Sequence, residues 1–114
     1  MTASSDGLLG SFEELVLLAL ARSGERAYGM VVRRELAETT GRDPSIGAVY
    51  STLDRMEQKG WLSSYERAEE DRRSRGRRYF RLTPSGIAQL ERARSMRRKL
   101  SEGVELEGLE AGEV

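Results

Sequence analysis

The hydrophobic pattern of this chain changes period at Gly60, and this change limits the folds open to it. Up to Gly60, apolar residues recur every three or four positions, as on the buried face of an α-helix. Two short alternating segments follow, "WLSSYER" and "RRYFRLT", which are typical of strands, and helical spacing returns after Thr83. The sequence therefore predicts a mainly α chain with a small β-hairpin.

The first predicted helix covers residues 12–22. Ser11 and Glu14 form a capping-box pattern at its start, and Gly24 follows its end. Its apolar residues occupy nearly every side. We therefore expect it to pack between two partners, and both an ordinary core helix and a helix at a dimer interface fit this pattern.

Two further helices follow, separated by a short turn. The second ends at Gly41, Pro44 bars its continuation, and Ser45 is the predicted N-cap of the third, which ends at Gly60. The apolar face of the second helix consists of Tyr28, Val32 and Leu36. The buried stripe of the third consists of Ile46, Val49, Leu53 and Met56, which leaves Ala48, Tyr50, Ser51, Thr52, Arg55 and Lys59 off the core.

The two alternating segments are predicted to form an antiparallel hairpin. Alternation puts Phe80 and Leu82 on the core face, and Arg77, Tyr79 and Arg81 on the opposite face. The turn between the strands contains Arg72, Arg73 and Arg75. Trp61 precedes the first strand and is predicted to be a core residue rather than a platform for a ligand.

A fourth helix is predicted from the Thr83 cap, with Pro84 in its first turn, to about Glu102. Little chain remains for its apolar stripe to pack against, so we expect homodimerisation through it; the alternative is a helix that folds back on its own domain. The stripe is Ile87, Leu90, Ala93, Met96, Leu100 and Val104. From the first helix, Phe12 and Leu15 are expected to join this dimer interface.

Charge and composition exclude several classes of function. The formal charge is zero, but 19 basic and 14 acidic residues precede Glu102, and the remaining segment adds five acids. The part predicted to fold is therefore a cation, which points to a polyanionic partner such as nucleic acid. The absence of cysteine and histidine removes the usual thiol and imidazole chemistry and the ligands of zinc. We expect a cytoplasmic protein with no cofactor, no metal, no membrane partner and no enzyme activity.

The order of elements is that of a winged helix-turn-helix with a C-terminal dimerisation helix. Residues 1–10 are an N-terminal extension, 11–83 the DNA-binding domain, 84–102 the dimerisation helix and 103–114 an acidic tail expected to be disordered. In this fold the third helix enters the major groove of double-stranded DNA, and the hairpin, or wing, lies along the backbone or the minor groove.

Four segments, in order and at the right spacing, resemble the PadR family of transcriptional regulators. They are "LGSFEELVLLAL", "AYGMVVRREL", "SIGAVYSTLDRMEQKGWL" and "RGRRYFRLTPSG". The resemblance implies a homodimeric DNA-binding regulator, usually a repressor, of the short type with one C-terminal helix. It also implies that Tyr50 contacts the DNA backbone. The chain departs from the family pattern at Phe80, where a second Tyr is common, and at Ser51, where many members have Pro.

We expect the DNA contacts to divide into phosphate and base contacts. Wing arginines Arg72, Arg73, Arg75 and Arg77, together with Lys59, are predicted to neutralise phosphates. Ser45 at the helix N-terminus and Tyr50 are predicted to contact two further phosphates. Base reading is assigned to Ala48, Ser51, Thr52 and Arg55, with a wing arginine in a narrow minor groove as a second source of specificity.

Alternatives remain at several of these positions. Arg55 could pair with acids near Asp54 and Glu57, Tyr50 could be a packing residue, and the wing arginines could be neutralised by the acids at 69–71. Two other functions also fit the fold: a winged helix that binds protein, and a sensor that binds an effector between the first and last helices of a dimer.

Overall fold

The computed structural model describes residues 9–67 and 77–112, which form a winged helix-turn-helix followed by one long helix. This confirms the predicted fold class. The helices are α1 (Ser11–Ser23), α2 (Gly29–Thr40), α3 (Ile46–Gln58) and α4 (Pro84–Ser101), and the strands are β1 (Leu62–Glu66) and β2 (Arg78–Leu82). No helix in the described part of the chain has the length and apolar character needed to cross a bilayer.

The core lies where α1, α2, α3 and the inner face of the hairpin meet. Its largest fully buried side chains are Phe80, Leu17, Leu53, Met56, Val16, Val32 and Val49. Trp61 is also buried, as predicted. With Leu62 of β1, the core draws on all three helices and both strands that precede α4, so this part of the chain forms one packed unit.

The helix starts were predicted well at α3 and α4 and wrongly at α1. Ser45 Oγ accepts a hydrogen bond from Ala48 N–H at 3.0 Å, and Thr83 Oγ1 accepts one from Gly86 N–H at 3.0 Å. At α1, the N-cap is Gly10 rather than Ser11, and Glu13 Oε1 accepts from Gly10 N–H at 2.8 Å. The carboxylate that closes this first turn therefore belongs to Glu13, not Glu14.

The hairpin register confirms the predicted faces but not the exposure of Tyr79. Tyr79 pairs with Tyr65 on the outer face, yet it is buried. The reason is that the segment before α2 lies along the free edge of β2. There, Phe80 N–H donates to Ala27 O at 2.8 Å, and Tyr28 forms an isolated β-bridge with Tyr79. The rings of Tyr28 and Tyr65 lie 5.5 and 5.8 Å from that of Tyr79, so aromatic side chains cover it.

The start of the hairpin joins α3 to α4 through main-chain contacts of Trp61. Trp61 N–H donates to Met56 O at 3.0 Å, and Trp61 O accepts from Thr83 N–H at 3.1 Å. Gly86 in the first turn of α4 packs against the same carbonyl, and a Cβ at this position would lie 2.0 Å from Trp61 O. Only glycine permits this approach between α4 and the hairpin.

Helix α4 packs partly on its own domain. Leu90 packs against the core and Ala93 is buried within the chain, whereas Ile87, Met96 and Leu100 are 45%, 42% and 82% exposed. The radius of gyration is 16.8 Å, against about 13 Å for a compact domain of this length. Residues 103–112 are exposed and contain one 3-10 turn, Leu106–Gly108, and the disorder expected for the tail stays a prediction.

Candidate nucleic-acid interface

One face of α3 is exposed and carries mostly small side chains. Ser45, Ala48 and Ser51 are exposed along it, and Gly47 adds no side chain at all. Gln58 extends the same exposed surface at the end of the helix. Because short side chains allow a helix to approach base edges closely, this face has the shape required for insertion in a major groove. Sequence reasoning missed Gly47 and Gln58, although the helical spacing of the face includes both.

Two residues predicted to face DNA from α3 are engaged with the protein. Thr52 is only 3% exposed, so the expectation that it lies off the core is wrong: the buried stripe is wider than the apolar residues indicate. The ring of Tyr50 is half-buried and lies over Gly29, where a Cβ would come within 2.3 Å of the ring. The packing alternative for Tyr50 therefore has direct geometric support.

The two cations of α3 meet a carboxylate from α1. Glu13 Oε2 lies 3.2 Å from Lys59 Nζ and 3.4 Å from Arg55 Nε, and Glu13 itself is only 7% exposed. Arg55 Nη2 also lies 3.4 Å from Thr52 Oγ1. Arg55 thus pairs with a residue 42 positions away rather than with the acids of its own helix.

The charge state of Glu13 reflects these contacts. Burial by itself raises the pKa of this carboxyl, but the hydrogen bond from Gly10 N–H and the positive charges of Lys59 and Arg55 outweigh it. The net result is a pKa below the ordinary value of 4.5. Glu13 is therefore ionised at neutral pH and holds both cations at the end of α3 that follows the small-residue face.

The acids of α3 pair instead with Arg78 of the hairpin. Arg78 Nη1 lies 3.1 Å from Asp54 Oδ1, and Arg78 Nη2 donates to Glu57 Oε1 at 2.8 Å. Glu57 also accepts from Ser64 Oγ at 2.7 Å. These contacts fix the hairpin against α3, so the two elements expected to contact DNA form one surface. Sequence reasoning assigned no role to Arg78, because its partners Asp54 and Glu57 lie more than 20 positions away.

Two arginines that flank the loop of the hairpin lie on tyrosine rings. The Arg77 guanidinium lies 4.1 Å from the centre of the Tyr28 ring, and that of Arg67 lies 5.0 Å from the Tyr79 ring. With Arg26 they line a polar pocket of about 210 Å³. The predicted wing residues Arg72, Arg73 and Arg75 fall outside the described residues, as do the acids at 69–71 that could neutralise them. The sequence analysis did not predict that Arg26 and Arg67 lie together. The β-bridge between Tyr28 and Tyr79 brings them close, and an isolated bridge leaves no periodic pattern in the sequence.

The predicted dimer residues divide into buried and exposed groups. Phe12, Leu15 and Leu90 are partly buried against the core and Ala93 is buried, whereas Ile87, Met96 and Leu100 remain accessible on α4. A groove of about 470 Å³ includes Leu15 of this set and reaches α4 at Arg94. It is lined by Leu15, Leu18, Ala19, Ala21, Arg22, Glu35, Leu36, Thr39, Thr40 and Arg94.

Catalytic and metal chemistry find little support in this geometry. Within residues 9–67 and 77–112, no three carboxylates lie close enough together to hold a metal ion. Among the described residues, a lowered pKa of Glu13 and Glu35 and a raised pKa of Arg97 come from ion pairs or hydrogen bonds within the chain.

Comparison with known proteins gives matches in family and in structure. A family model described as the transcriptional regulator PadR-like family matches residues 16–92. A PadR family regulator from Eggerthella lenta DSM 2243 is 30% identical with a TM-score of 0.62, covering 79% of this chain and 77% of its own. No curated protein sequence matches the chain.

Two further solved structures share the fold at lower identity. A PadR family regulator from Clostridium difficile R20291 is 24% identical with a TM-score of 0.66, covering 81% of this chain and 93% of its own. BpsR from Bordetella bronchiseptica, whose DNA binding is regulated by 6-hydroxynicotinic acid, is 21% identical with a TM-score of 0.61, covering 90% of this chain and 72% of its own.

Proposed function

Because this chain belongs to the PadR-like family of transcriptional regulators, we propose that it acts in the cytoplasm as a homodimeric repressor that reads a two-fold related DNA site. The family consists of DNA-binding regulators, not enzymes. The observation that carries the proposal is the exposed α3 face of Ser45, Ala48 and Ser51, held in one surface with the hairpin by Arg78.

The phosphate contacts would come from the ends of α3 and from the wing. Ser45 already satisfies one N-terminal N–H of α3, and the helix N-terminus adds its partial positive charge toward a phosphate. Lys59 supplies charge at the other end, with Glu13 setting its position. Arg77, Arg72, Arg73 and Arg75 are proposed to contact the backbone beside the major groove, and Tyr50 a phosphate next to Ser45.

Base reading would fall to the centre of the exposed face. Ala48 and Ser51 are accessible and short, and Arg55 and Gln58 can reach further toward base edges. A single bidentate contact from Arg55 to guanine discriminates by about 1–3 kcal/mol. Thr52 is left out of this set because its burial removes it from the groove surface.

Dimerisation is proposed through the apolar residues that α4 leaves accessible. Ile87, Met96 and Leu100 project from a helix whose other side already packs on the domain. The groove beside Leu15 and Leu18 offers an apolar surface for the same helix of a second copy. Sedimentation of the purified protein should give a dimer at micromolar concentration. Leu100→Glu should shift it toward monomer, and a wild-type monomer would contradict this part of the proposal.

The DNA-reading proposal is tested by selection from a random DNA pool at two salt concentrations. We expect a two-fold related site with half-site centres about 10–10.5 base pairs apart. Ala48→Glu should weaken binding to that site at least about tenfold, because it puts a negative charge against the DNA backbone. Ala88→Glu makes the same change on an exposed part of α4 and serves as the matched control. No preference over random DNA at physiological salt would refute the proposal.

A ligand-responsive sensor is the second candidate function. The groove of about 470 Å³ has the size of a small-molecule site and an apolar lining with charged groups at Arg22, Glu35 and Arg94. BpsR, which shares the fold, responds to an aromatic acid. Thermal shifts with a panel of small aromatic acids, compared between the wild type and Ala19→Phe, would test whether the groove takes such a ligand.

A further inference from the structure

The turn between α2 and α3 is held by an arginine of α2. Arg33 Nε donates to Pro44 O at 2.8 Å, and Arg33 Nη2 lies 2.5 Å from Asp43 Oδ1. Pro44 directly precedes Ser45, the N-cap of α3. A single guanidinium therefore contacts both residues that lead the chain into the cap of α3.

Asp43 places a carboxylate beside the part of α3 that is proposed to meet DNA. Its side chain is 81% exposed, and Ser45, two positions further on, is exposed as well. The first turn of α3 consists of uncharged residues, so its partial positive charge is open to an anion from outside the helix. An unpaired Asp43 would repel a phosphate bound there and would compete with it for the same partial charge.

Arg33 is held in this position by more than the ion pair. Its side chain is only 30% exposed, and its bond to Pro44 O has a main-chain acceptor. A main-chain acceptor stays in place while the turn is folded, whereas an exposed ion pair is weakened by solvent and salt. The bond to Pro44 therefore keeps the guanidinium beside Asp43.

We propose that Arg33 is a positioning residue for DNA binding, which sets the charge at the start of α3 by neutralising Asp43 next to the proposed phosphate contact of Ser45. With Arg33 in place the pair is neutral. Without Arg33, each copy of the protein presents an uncompensated carboxylate to the DNA backbone. This inference rests on the DNA-binding function proposed above, and it adds to that function a residue of α2 that acts through Asp43.

The first test measures the DNA affinity of Arg33→Gln by fluorescence anisotropy with the selected site. We expect it to bind at least about threefold more weakly than the wild type at about 0.05 M salt, as the exposure of one charge predicts. The loss should shrink at about 0.3 M salt, because salt screens the repulsion between Asp43 and phosphate. Arg33→Lys keeps the charge and should bind within about twofold of the wild type.

A second substitution separates the effect of charge from an effect on structure. Adding Asp43→Asn to Arg33→Gln removes the uncompensated carboxylate and should restore the affinity to within about twofold of the wild type. Glu38→Gln removes an exposed acid elsewhere on α2 and is the matched control, which should not restore affinity in the same background. Urea unfolding checks that each variant is folded. If Arg33→Gln does not fold, Asp43→Asn alone should still bind DNA more tightly than the wild type at low salt, and an unchanged affinity would overturn the inference.

The outcomes separate this inference from the proposed function. If the wild type binds the selected site but Arg33→Gln binds it equally well at low salt, the inference is refuted and the proposed function stands. A loss of affinity that is equal at both salt concentrations and persists with Asp43→Asn also refutes it, because Arg33 would then only hold the turn. A wild type that binds no DNA refutes both.

Discussion

Replacing Glu13 by Gln removes one negative charge from beside two proposed DNA-binding cations while keeping the size of the side chain. In the structure, its Oε2 lies 3.2 Å from Lys59 Nζ and 3.4 Å from Arg55 Nε. DNA competes with Glu13 for both groups, through a phosphate at Lys59 and a base edge at Arg55. We therefore expect E13Q to bind DNA more tightly than the wild type, because both cations become available to DNA.

The size of the expected gain in DNA affinity follows from the exposure of the Arg55 and Lys59 side chains. The Arg55 and Lys59 side chains are 50% and 38% exposed, so solvent screens both pairs, and each is worth about 0.2–1 kcal/mol. If both are released, the gain for DNA is roughly 0.4–2 kcal/mol, or about twofold to thirtyfold in affinity. The folded state loses the same pairs and a charged acceptor for Gly10 N–H, so its free energy of unfolding should fall by roughly 1–2 kcal/mol.

The assay is fluorescence anisotropy with a selected site and with random DNA, at two salt concentrations. Urea unfolding of each variant checks that it is folded. Glu91→Gln removes an equal charge from an exposed position of α4 and is the matched control. If E13Q is folded and binds DNA no more tightly than Glu91→Gln at about 0.1 M salt, then Glu13 does not restrain these cations.

Three further predictions concern the domain itself. Gly86→Ala should lower the free energy of unfolding by about 1–3 kcal/mol, because its Cβ would meet Trp61 O at 2.0 Å. As a control, Gly108→Ala, whose Cβ meets nothing within 4 Å, should leave the stability to urea nearly unchanged. Above pH 4.5, the wild type should be more stable than E13Q, and this difference should shrink as the pH falls through the lowered pKa of Glu13. Urea unfolding at several pH values measures the difference. A difference that does not change with pH would contradict the assigned ionisation. Arg78→Gln should speed hydrogen exchange in the hairpin, since two half-exposed ion pairs to α3 are lost, and equal protection would show that they do not hold it.

Features set by local chemistry could be predicted from the sequence. Ser45 and Thr83 precede runs of helix-forming residues, and both cap the helices that follow, because an N-cap depends on contacts only three residues away. The faces of β2 followed from alternation for the same reason. These local patterns, taken in order, were enough to identify the winged helix-turn-helix.

Features that depend on distant partners could not be predicted. The spacing from Ser11 favoured Glu14 as the capping carboxylate, yet Glu13 fills that role and meets cations of α3, while Glu14 pairs with Arg97 of α4 at 2.7 Å, 83 positions away. Tyr79 alternates outward but is buried because one residue, Tyr28, bridges to it. In both cases tertiary packing, rather than local propensity, decides the environment.

The close contact of Gly86 with the Trp61 carbonyl has a consequence for how operator spacing can change. Because α4 leaves the hairpin without a flexible joint, a dimer formed through Met96 and Leu100 would hold its two α3 helices at a separation set by the length of α4. Each residue inserted between Gly86 and Met96 would advance the partner by about 1.5 Å and rotate it by about 100°. Related proteins with this junction should therefore recognise differently spaced half-sites only after changes of whole helical turns in α4.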